Sequence, residues 1–286
     1  PTAGAALGNQ LRAGTVAKVG STKRIQELNG MLHANRPNVD ITRARAYTKV
    51  YRATEGMPSL MRRYKASAEV YRTLTDNVYD YEQLVGWPTK RIRGANFAIE
   101  LHAHWLADDL PNLRDRTYDP FEITDEDYKE LEEDLLPYWK DKTMAVQWGH
   151  YVSKEEWNRG QFGGVSDVSN YLCANGSHFI PAWTDVIQHG FVKYYEKAKA
   201  LLAALDPNDP ASIDKKIFYN GIIEVLEAIR DWGERMSAAC ARKAAQEKDP
   251  ARKQELENMA AMMQRVPWGP ATSFYDACET AWAVCF

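Results

Sequence analysis

Residues 213–249 read IDKKIFYNGIIEVLEAIRDWGERMSAACARKAAQEKD, and this stretch decides the class of fold. Apolar residues recur in it at steps of three and four, the spacing that places side chains on one face of an α-helix. The predicted buried stripe consists of Ile217 or Phe218, Ile222, Val225 or Leu226, Ile229, Trp232, Met236 and Cys240. We therefore predict one long helix that ends at Asp249-Pro250.

Helical patterns continue on both sides of this stretch. Pro250 suits the first turn of a second helix, whose predicted inward-facing residues are Leu256, Met259, Ala260 and Met263. Toward the N-terminus, three more helices are predicted in residues 21–37, 40–56 and 59–77, with Ser21 or Thr22 as the first N-cap. The chain is therefore predicted to be mainly α-helical.

The segment from Val78 to Arg116 has a looser pattern. Residues 81–89, YEQLVGWPT, fit a short buried strand that ends in a turn, and residues 97–110 fit another helix. An acidic helix follows, capped by Thr124 and ended by Pro137. Its acidic residues fill the first turn, where the helix dipole favours negative charge.

The last segment, residues 272–286, is predicted as a helix capped by Thr272 or Ser273. Its apolar side would consist of Phe274, Ala277, Cys278, Ala281, Trp282 and Cys285. No terminating glycine, basic last turn or polar tail follows this pattern. We therefore expect the chain to be a piece of a larger protein, truncated at 286, with residues 1–20 forming a flexible, glycine-rich tail.

The composition is that of an ordinary globular protein. Of the 286 residues, 45% are hydrophobic and 26% are charged, and the net charge is −3. This balance argues against a nucleic acid or an anionic membrane as a partner. The four cysteines have no C-x-x-C pair, so neither a zinc module nor a disulfide framework is indicated.

Self-contained catalytic motifs are missing from the sequence. It has no G-x-S-x-G, P-loop, G-x-G-x-x-G or H-E-x-x-H. Glu100, His102 and His104 lie close together in ELHAHW. On a helix the two histidines point about 200° apart and cannot share a metal, whereas on a strand they could. We favour a surface or interface role for them.

His178 has a different setting, in residues 175–191, NGSHFIPAWTDVIQHGF. The preceding residues are rich in Gly, Ser and Asn, Gly176-Ser177 allows a sharp turn, and a helix is predicted after Pro181. Loop residues held by a rigid scaffold often bind ligands. The His178 imidazole could therefore bond a substrate hydroxyl or carboxylate, or it could only satisfy a neighbouring backbone carbonyl.

Five stretches, in this order, resemble the N-terminal part of the glycyl radical enzymes of the pyruvate formate-lyase-like superfamily. The acidic helix followed by PYWKDKT is the most similar, and GSHFIPAWTDVIQHGF resembles the family's G-H-x-x-P motif. The matching stretches are residues 21–66, 82–101, 119–143, 176–191 and 265–282.

The resemblance implies that residues 21–286 form the N-terminal part of a ten-stranded α/β barrel. It also implies a glycyl radical and a thiyl-forming cysteine on two finger loops, both outside this segment, so that no catalytic residue and no bound metal are expected here. The implied partners are a small-molecule substrate, an activating enzyme that uses S-adenosylmethionine, and a second copy in a homodimer. Members act in anaerobic cytoplasm.

The resemblance assigns His178 to the substrate pocket, where the family's histidine helps to hold a substrate hydroxyl. Ser177 stands where the family often has Gly directly before His. Asn175, Gly176 and Ser177 are the expected neighbours in the pocket. The predicted activity is therefore that of a glycyl radical lyase of the dehydratase or a related C–X-cleaving type.

Two alternatives remain open at this point. The first is an aryl- or alkyl-succinate synthase or an arylacetate decarboxylase of the same superfamily, which the aromatic content permits. The second is a non-catalytic helical subunit or interaction module, because the radical loops are absent from these residues.

Overall fold

The computed structural model describes residues 22–151, 153, 155–156, 159 and 180–285. Within these residues the chain is mainly helical, as predicted, with one two-stranded parallel sheet. The strands are β1 (Asn38–Asp40) and β2 (Gly94–Asn96). The helices are α1 (Lys23–Ala34), α2 (Thr42–Ala53), α3 (Ser59–Thr73), α4 (His104–Asp109), α5 (Asp125–Glu130), α6 (Leu136–Trp139), α7 (Met144–Gly149), α8 (Trp183–His189), α9 (Val192–Ala203), α10 (Ser212–Gln246), α11 (Pro250–Met263) and α12 (Phe274–Val284). None of the described helices is both long enough and apolar enough for a membrane span.

Short polar side chains begin several of these helices, as the sequence predicts. The side chains of Thr22, Thr124, Asp249 and Ser273 each accept a hydrogen bond from a backbone N–H in the first turn. Such a bond satisfies a donor that has no partner within the helix, and it contributes about 1 kcal/mol. Local chemistry therefore determines where α1, α5, α11 and α12 begin.

The long helix α10 has 35 residues and packs against α3, α9 and α11. The predicted stripe is confirmed in its C-terminal two thirds, where Leu226, Ile229, Trp232, Met236 and Cys240 are buried. Near its start, Phe218 is 43% exposed and meets Tyr64 of α3 edge-on, with ring centroids 6.3 Å apart.

Two hydrophobic cores lie on either side of α3. The first joins β1, α2 and the segment around α6, with Trp139 fully buried at its centre. The second joins α10, α11 and α12. Met259 and Met263 of α11 are buried in the second core, which confirms their prediction as inward-facing residues.

The sheet does not form where the sequence predicts it. Residues 81–89 were expected to form a buried strand, but strand β2 lies at Gly94–Asn96 and pairs with β1 in the register Asn38↔Gly94. Residues 81–89 do bury Val85, but their backbone groups bond to side chains of α12 and not to another strand. The expected helix in residues 97–110 is also shorter and comprises only α4.

Pro137 does not end the acidic helix, contrary to the prediction. One π-helical turn, Leu131–Leu135, follows α5, and the helix continues through Pro137 to Trp139. In this turn the N–H of Leu136 bonds the carbonyl of Leu131, five residues back. The wider turn makes room for the proline ring, which would clash with a carbonyl four residues back in a regular α-helix.

The buried face of α12 is the polar one, contrary to the prediction. Its buried residues are Asp276, Glu279, Thr280 and Ala283, whereas Phe274 on the expected apolar side is 85% exposed. Asp276 accepts hydrogen bonds from Thr272 and Arg265, and Glu279 Oε2 accepts one from the backbone N–H of Val85. Arg265 and Val85 lie outside the predicted helical segment, so the helical pattern could not reveal these bonds.

Two glycines of α10 provide a matched test of helix packing. A Cβ atom at Gly221 would overlap the ring of Tyr64 in α3, whereas one at Gly233 would lie 3.5 Å from the carbonyl oxygen of Met263, an ordinary contact. We expect Gly221→Ala to lower the free energy of unfolding by about 1–3 kcal/mol through overpacking. Gly233→Ala should raise it by about 0.5–1 kcal/mol, because alanine loses less conformational entropy in a helix.

Urea denaturation of the two variants beside the wild type measures this difference. Equal effects of the two substitutions, in either direction, would contradict the close approach of α10 to α3 at Gly221.

Candidate functional site

The predicted pocket residues Asn175, Gly176, Ser177 and His178 lie outside the described residues. The described chain resumes at Ile180, two positions after His178, and α8 begins at Trp183. The described part of the candidate site is therefore the helix that directly follows the predicted pocket segment.

Backbone hydrogen bonds attach α8 to the loop between α11 and α12. The N–H of Ala271 bonds the carbonyl of Ile187 at 2.9 Å. Just after α8, the N–H groups of Phe191 and Val192 bond the carbonyls of Pro267 and Trp268 at 3.1 and 2.9 Å. These three hydrogen bonds lie before and after Gly190, and they hold the C-terminal end of α8 against the loop between α11 and α12.

Gly190 ends α8 in a conformation that requires glycine. Its φ is +69°, and a Cβ atom there would overlap the backbone of Trp268 and Gly269. Any other residue would push α8 away from this loop. The structure therefore explains why residue 190, in the H-G-F sequence at residues 189–191, is a glycine, which the motif alone does not explain.

A surface network lies on α8 and the start of α9. Asp185 accepts hydrogen bonds from Lys193 Nζ and Tyr194 Oη, each at 2.5 Å, and His189 Nε2 lies 3.7 Å from the same carboxylate. The bond from Lys193, followed by that from Tyr194, lowers the pKa of Asp185. His189 is half-exposed in this network.

The histidine pair at residues 102 and 104 does not form a metal site with Glu100. Glu100 is buried, and its Oε1 bonds Arg43 Nη2 at 2.5 Å. The two imidazole rings lie 6.0 Å apart, and burial, followed by the nearby His104, lowers the pKa of His102. Within the described ranges, no group of three His, Cys, Asp or Glu residues is arranged to hold a metal ion.

Glu82 and Glu279 are among the buried acids that the sequence analysis missed. Glu279 of α12 is fully buried, its Oε2 accepts the N–H of Val85 at 2.8 Å, and burial raises its pKa to about 8. Glu82 is also buried, which raises its pKa against the opposing hydrogen bonds from Trp87 and Tyr79. Both acids lie in stretches read as apolar or irregular, so only the tertiary structure brings them together.

The three described cysteines differ in their surroundings. Cys240 is fully buried in the second core, and burial raises the pKa of its thiol to about 12. Cys278 is half-buried and Cys285 exposed, both on α12. Cys240 has the character of a packing residue, because its thiol is buried and burial outweighs the nearby Arg252 and Lys243, which favour the thiolate.

Comparisons with known proteins identify the family. The family model described as pyruvate formate lyase-like matches residues 20–286. The isethionate sulfite-lyase of Nitratidesulfovibrio vulgaris is 30% identical over 254 residues, which cover 86% of this chain and 31% of that protein.

Solved structures show the same relationship. A structure described for 1,2-propanediol dehydration in Roseburia inulinivorans has a TM-score of 0.86 at 27% identity, covering 93% of this chain and 33% of that one. The glycerol-bound B12-independent glycerol dehydratase of Clostridium butyricum has a TM-score of 0.84 at 29% identity, covering 94% and 34%. The chain thus spans about a third of the length of these relatives. Since the family model matches nearly all of its residues, the chain belongs to the pyruvate formate lyase-like family, and the resemblance of its motifs to glycyl radical enzymes is confirmed.

Proposed function

We propose that the full-length protein is a glycyl radical lyase that cleaves a carbon–heteroatom bond in a small polar organic substrate. One observation carries the proposal: three relatives that match this chain over 86%, 93% and 94% of its length are described by the removal of sulfite or water from a small hydroxylated molecule. The shared chemistry is elimination of a polar group, as in a dehydratase or a related C–X lyase.

In this proposal the described chain contributes a scaffold and His178 contributes substrate binding. The glycyl radical, carried outside this segment, would supply hydrogen-atom abstraction. His178 would hold a substrate hydroxyl by a hydrogen bond, beside Asn175, Gly176 and Ser177. When the hydroxyl is held in place, one bond of the substrate lies in position to break. Holding a substrate in its reactive orientation is a large part of catalysis.

The attachment of α8 supports this role for the segment that precedes it. The helix that begins five residues after His178 is held by three backbone hydrogen bonds and by Gly190 against the loop between α11 and α12. A binding residue next to such a helix loses less conformational entropy on meeting its substrate than one on a free loop.

The remaining expectations concern the whole protein. We propose that residues 21–286 form the N-terminal part of a ten-stranded α/β barrel, and that the full-length protein acts as a homodimer in anaerobic cytoplasm. A radical activating enzyme that uses S-adenosylmethionine would install the glycyl radical.

Anaerobic activation of the full-length protein tests this proposal. We expect electron paramagnetic resonance to show a glycyl radical after incubation with a radical activating enzyme and S-adenosylmethionine. The activated protein should then eliminate sulfite or water from at least one member of a panel of isethionate, glycerol and propane-1,2-diol or their close analogues. A stable glycyl radical without elimination from any small hydroxylated compound would reject the lyase assignment.

A further inference from the structure

Three side chains of α12 bond backbone groups of the irregular segment 83–86. Tyr275 Oη donates to the carbonyl of Gln83, Glu279 Oε2 accepts the N–H of Val85 at 2.8 Å, and Trp282 Nε1 donates to the carbonyl of Gly86 at 3.0 Å. These side chains are spaced at i, i+4 and i+7, so they lie on one face of the helix. We call Tyr275, Glu279 and Trp282 the α12 clamp.

The α12 clamp bonds backbone groups of segment 83–86 that a neighbouring strand would bond in a sheet. The buried N–H of Val85 needs a hydrogen-bond partner, which Glu279 supplies, and Tyr275 and Trp282 make less buried bonds to the carbonyls of Gln83 and Gly86. The arrangement depends on Glu279 in particular, because it is the clamp residue that accepts a backbone N–H. Loss of that acceptor would leave the buried N–H of Val85 without its partner.

The surroundings of Glu279 favour its neutral form. The residue is fully buried, and Glu279 Oε1 is buried without a hydrogen-bond partner. An uncharged acid can leave a hydroxyl unpaired at modest cost, whereas a carboxylate in the same place leaves a charged oxygen unsolvated. The N–H of Val85 favours the charged form, but the effect of burial is larger, and Glu82 adds a like charge.

Other titratable groups face the same region from the packed elements. Cys240 and Lys243 belong to α10, Arg252 belongs to α11, and Tyr275 is on α12 itself. The two cations bond backbone carbonyls. Arg252 Nη1 bonds the carbonyl of Glu82 at 2.7 Å, and Lys243 Nζ bonds the carbonyl of Val78 at 2.6 Å. Neither Arg252 nor Lys243 hydrogen-bonds the Glu279 carboxyl.

We propose that the α12 clamp is a pH-dependent latch, which holds residues 83–86 most tightly when Glu279 carries a proton and loosens as the pH rises. Opening the latch exposes Glu279 to water, where it ionises readily, so a rise in pH stabilises the open form. This inference goes beyond the proposed lyase activity and does not depend on it.

The direction and size of the effect follow from proton linkage. The closed form holds the proton up to about pH 8, whereas an exposed glutamate releases it near 4.5. Between these values the closed form binds one more proton than the open form, so the opening equilibrium rises about tenfold per pH unit. The protection factors of residues 83–86 should be highest below pH 4.5, fall as the pH rises, and reach a constant low value above about pH 8.

Hydrogen–deuterium exchange of the full-length protein tests the latch without any measurement of turnover. We expect the protection factors of amides in residues 83–86, corrected for the intrinsic exchange rate, to fall about 50-fold between pH 6 and pH 8. Peptides from α2, in the first core, should show no such decline. A flat profile for residues 83–86 in the wild type would overturn the proposal.

Glu279→Gln provides the matched variant, because glutamine keeps the acceptor oxygen and cannot ionise. Its protection factors should not decline between pH 6 and pH 8. Glu257→Gln, on the exposed face of α11, is the control and should keep the wild-type profile. A decline of wild-type size in Glu279→Gln would assign the titration to another group and reject the latch. Should Glu279→Gln fail to fold, the wild-type profile still tests the latch. The proposal requires the opening equilibrium to rise about tenfold per pH unit, as release of one proton does, and a flat profile would reject it.

Discussion

Replacement of His178 by alanine is expected to lower kcat/KM of the activated full-length enzyme about 100-fold, with the glycyl radical signal unchanged. The loss corresponds to one hydrogen bond that is made best when the reacting bond is aligned. Radical formation does not use this bond, because the activating enzyme acts before substrate binds. Steady-state kinetics and electron paramagnetic resonance on the same preparation separate the two quantities.

His189→Ala is the matched control, since it removes a histidine from the same motif. The imidazole of His189 is half-exposed and lies 3.7 Å from Asp185, a surface pair that contributes little to stability. Its turnover should therefore stay within about twofold of wild type. His178→Gln, which retains a hydrogen-bonding group, should recover part of the lost activity. Near-normal turnover of His178→Ala, or loss of its radical signal, would remove the substrate-binding role.

The predictions that succeeded from sequence rest on local chemistry. The caps at Thr22, Thr124 and Ser273 were predictable because the side chain bonds a backbone N–H two or three residues away. The stripe of α10 was predictable because its helical period repeats over many turns. Neither signal depends on which distant segment packs against the helix.

The predictions that failed depend on distant partners. Strand β2 has three residues and no period to detect, and its position follows from pairing with β1, more than fifty residues earlier. The orientation of α12 was predicted wrongly because two partners of its buried acids, Val85 and Arg265, lie outside the predicted helical segment. A hydropathy pattern ranks Glu279 as a surface residue, although the structure buries it.

The candidate site was predictable only as a motif. The sequence indicates His178 through a resemblance to a family motif, and the described structure adds the attachment of α8 and the reason for Gly190. The pocket assignment of residues 175–178 stays a prediction, which the His178 variants test.

The largest loss of stability is expected from Trp139→Ala, at about 3–5 kcal/mol. Trp139 is fully buried in the first core, and its ring lies 4.9 Å from that of Tyr51. Its Nε1–H donates to Thr48 Oγ1 at 2.8 Å, a buried bond that joins α6 to α2. Alanine would remove this bond and leave a cavity in the first core, next to the π-helical turn and Pro137. Urea denaturation followed by far-UV circular dichroism measures the loss.

Two further variants separate packing from hydrogen bonding at this position. Thr48→Val keeps the volume but leaves the indole N–H unpaired, so it should cost about 1–3 kcal/mol. Trp105→Ala removes a tryptophan that is 43% exposed and meets Phe97 edge-on, and it should cost about 1 kcal/mol. If Trp139→Ala were no more destabilising than Trp105→Ala, the first core would not be organised around Trp139. The helix would then have to continue through Pro137 for a reason other than the placement of this side chain.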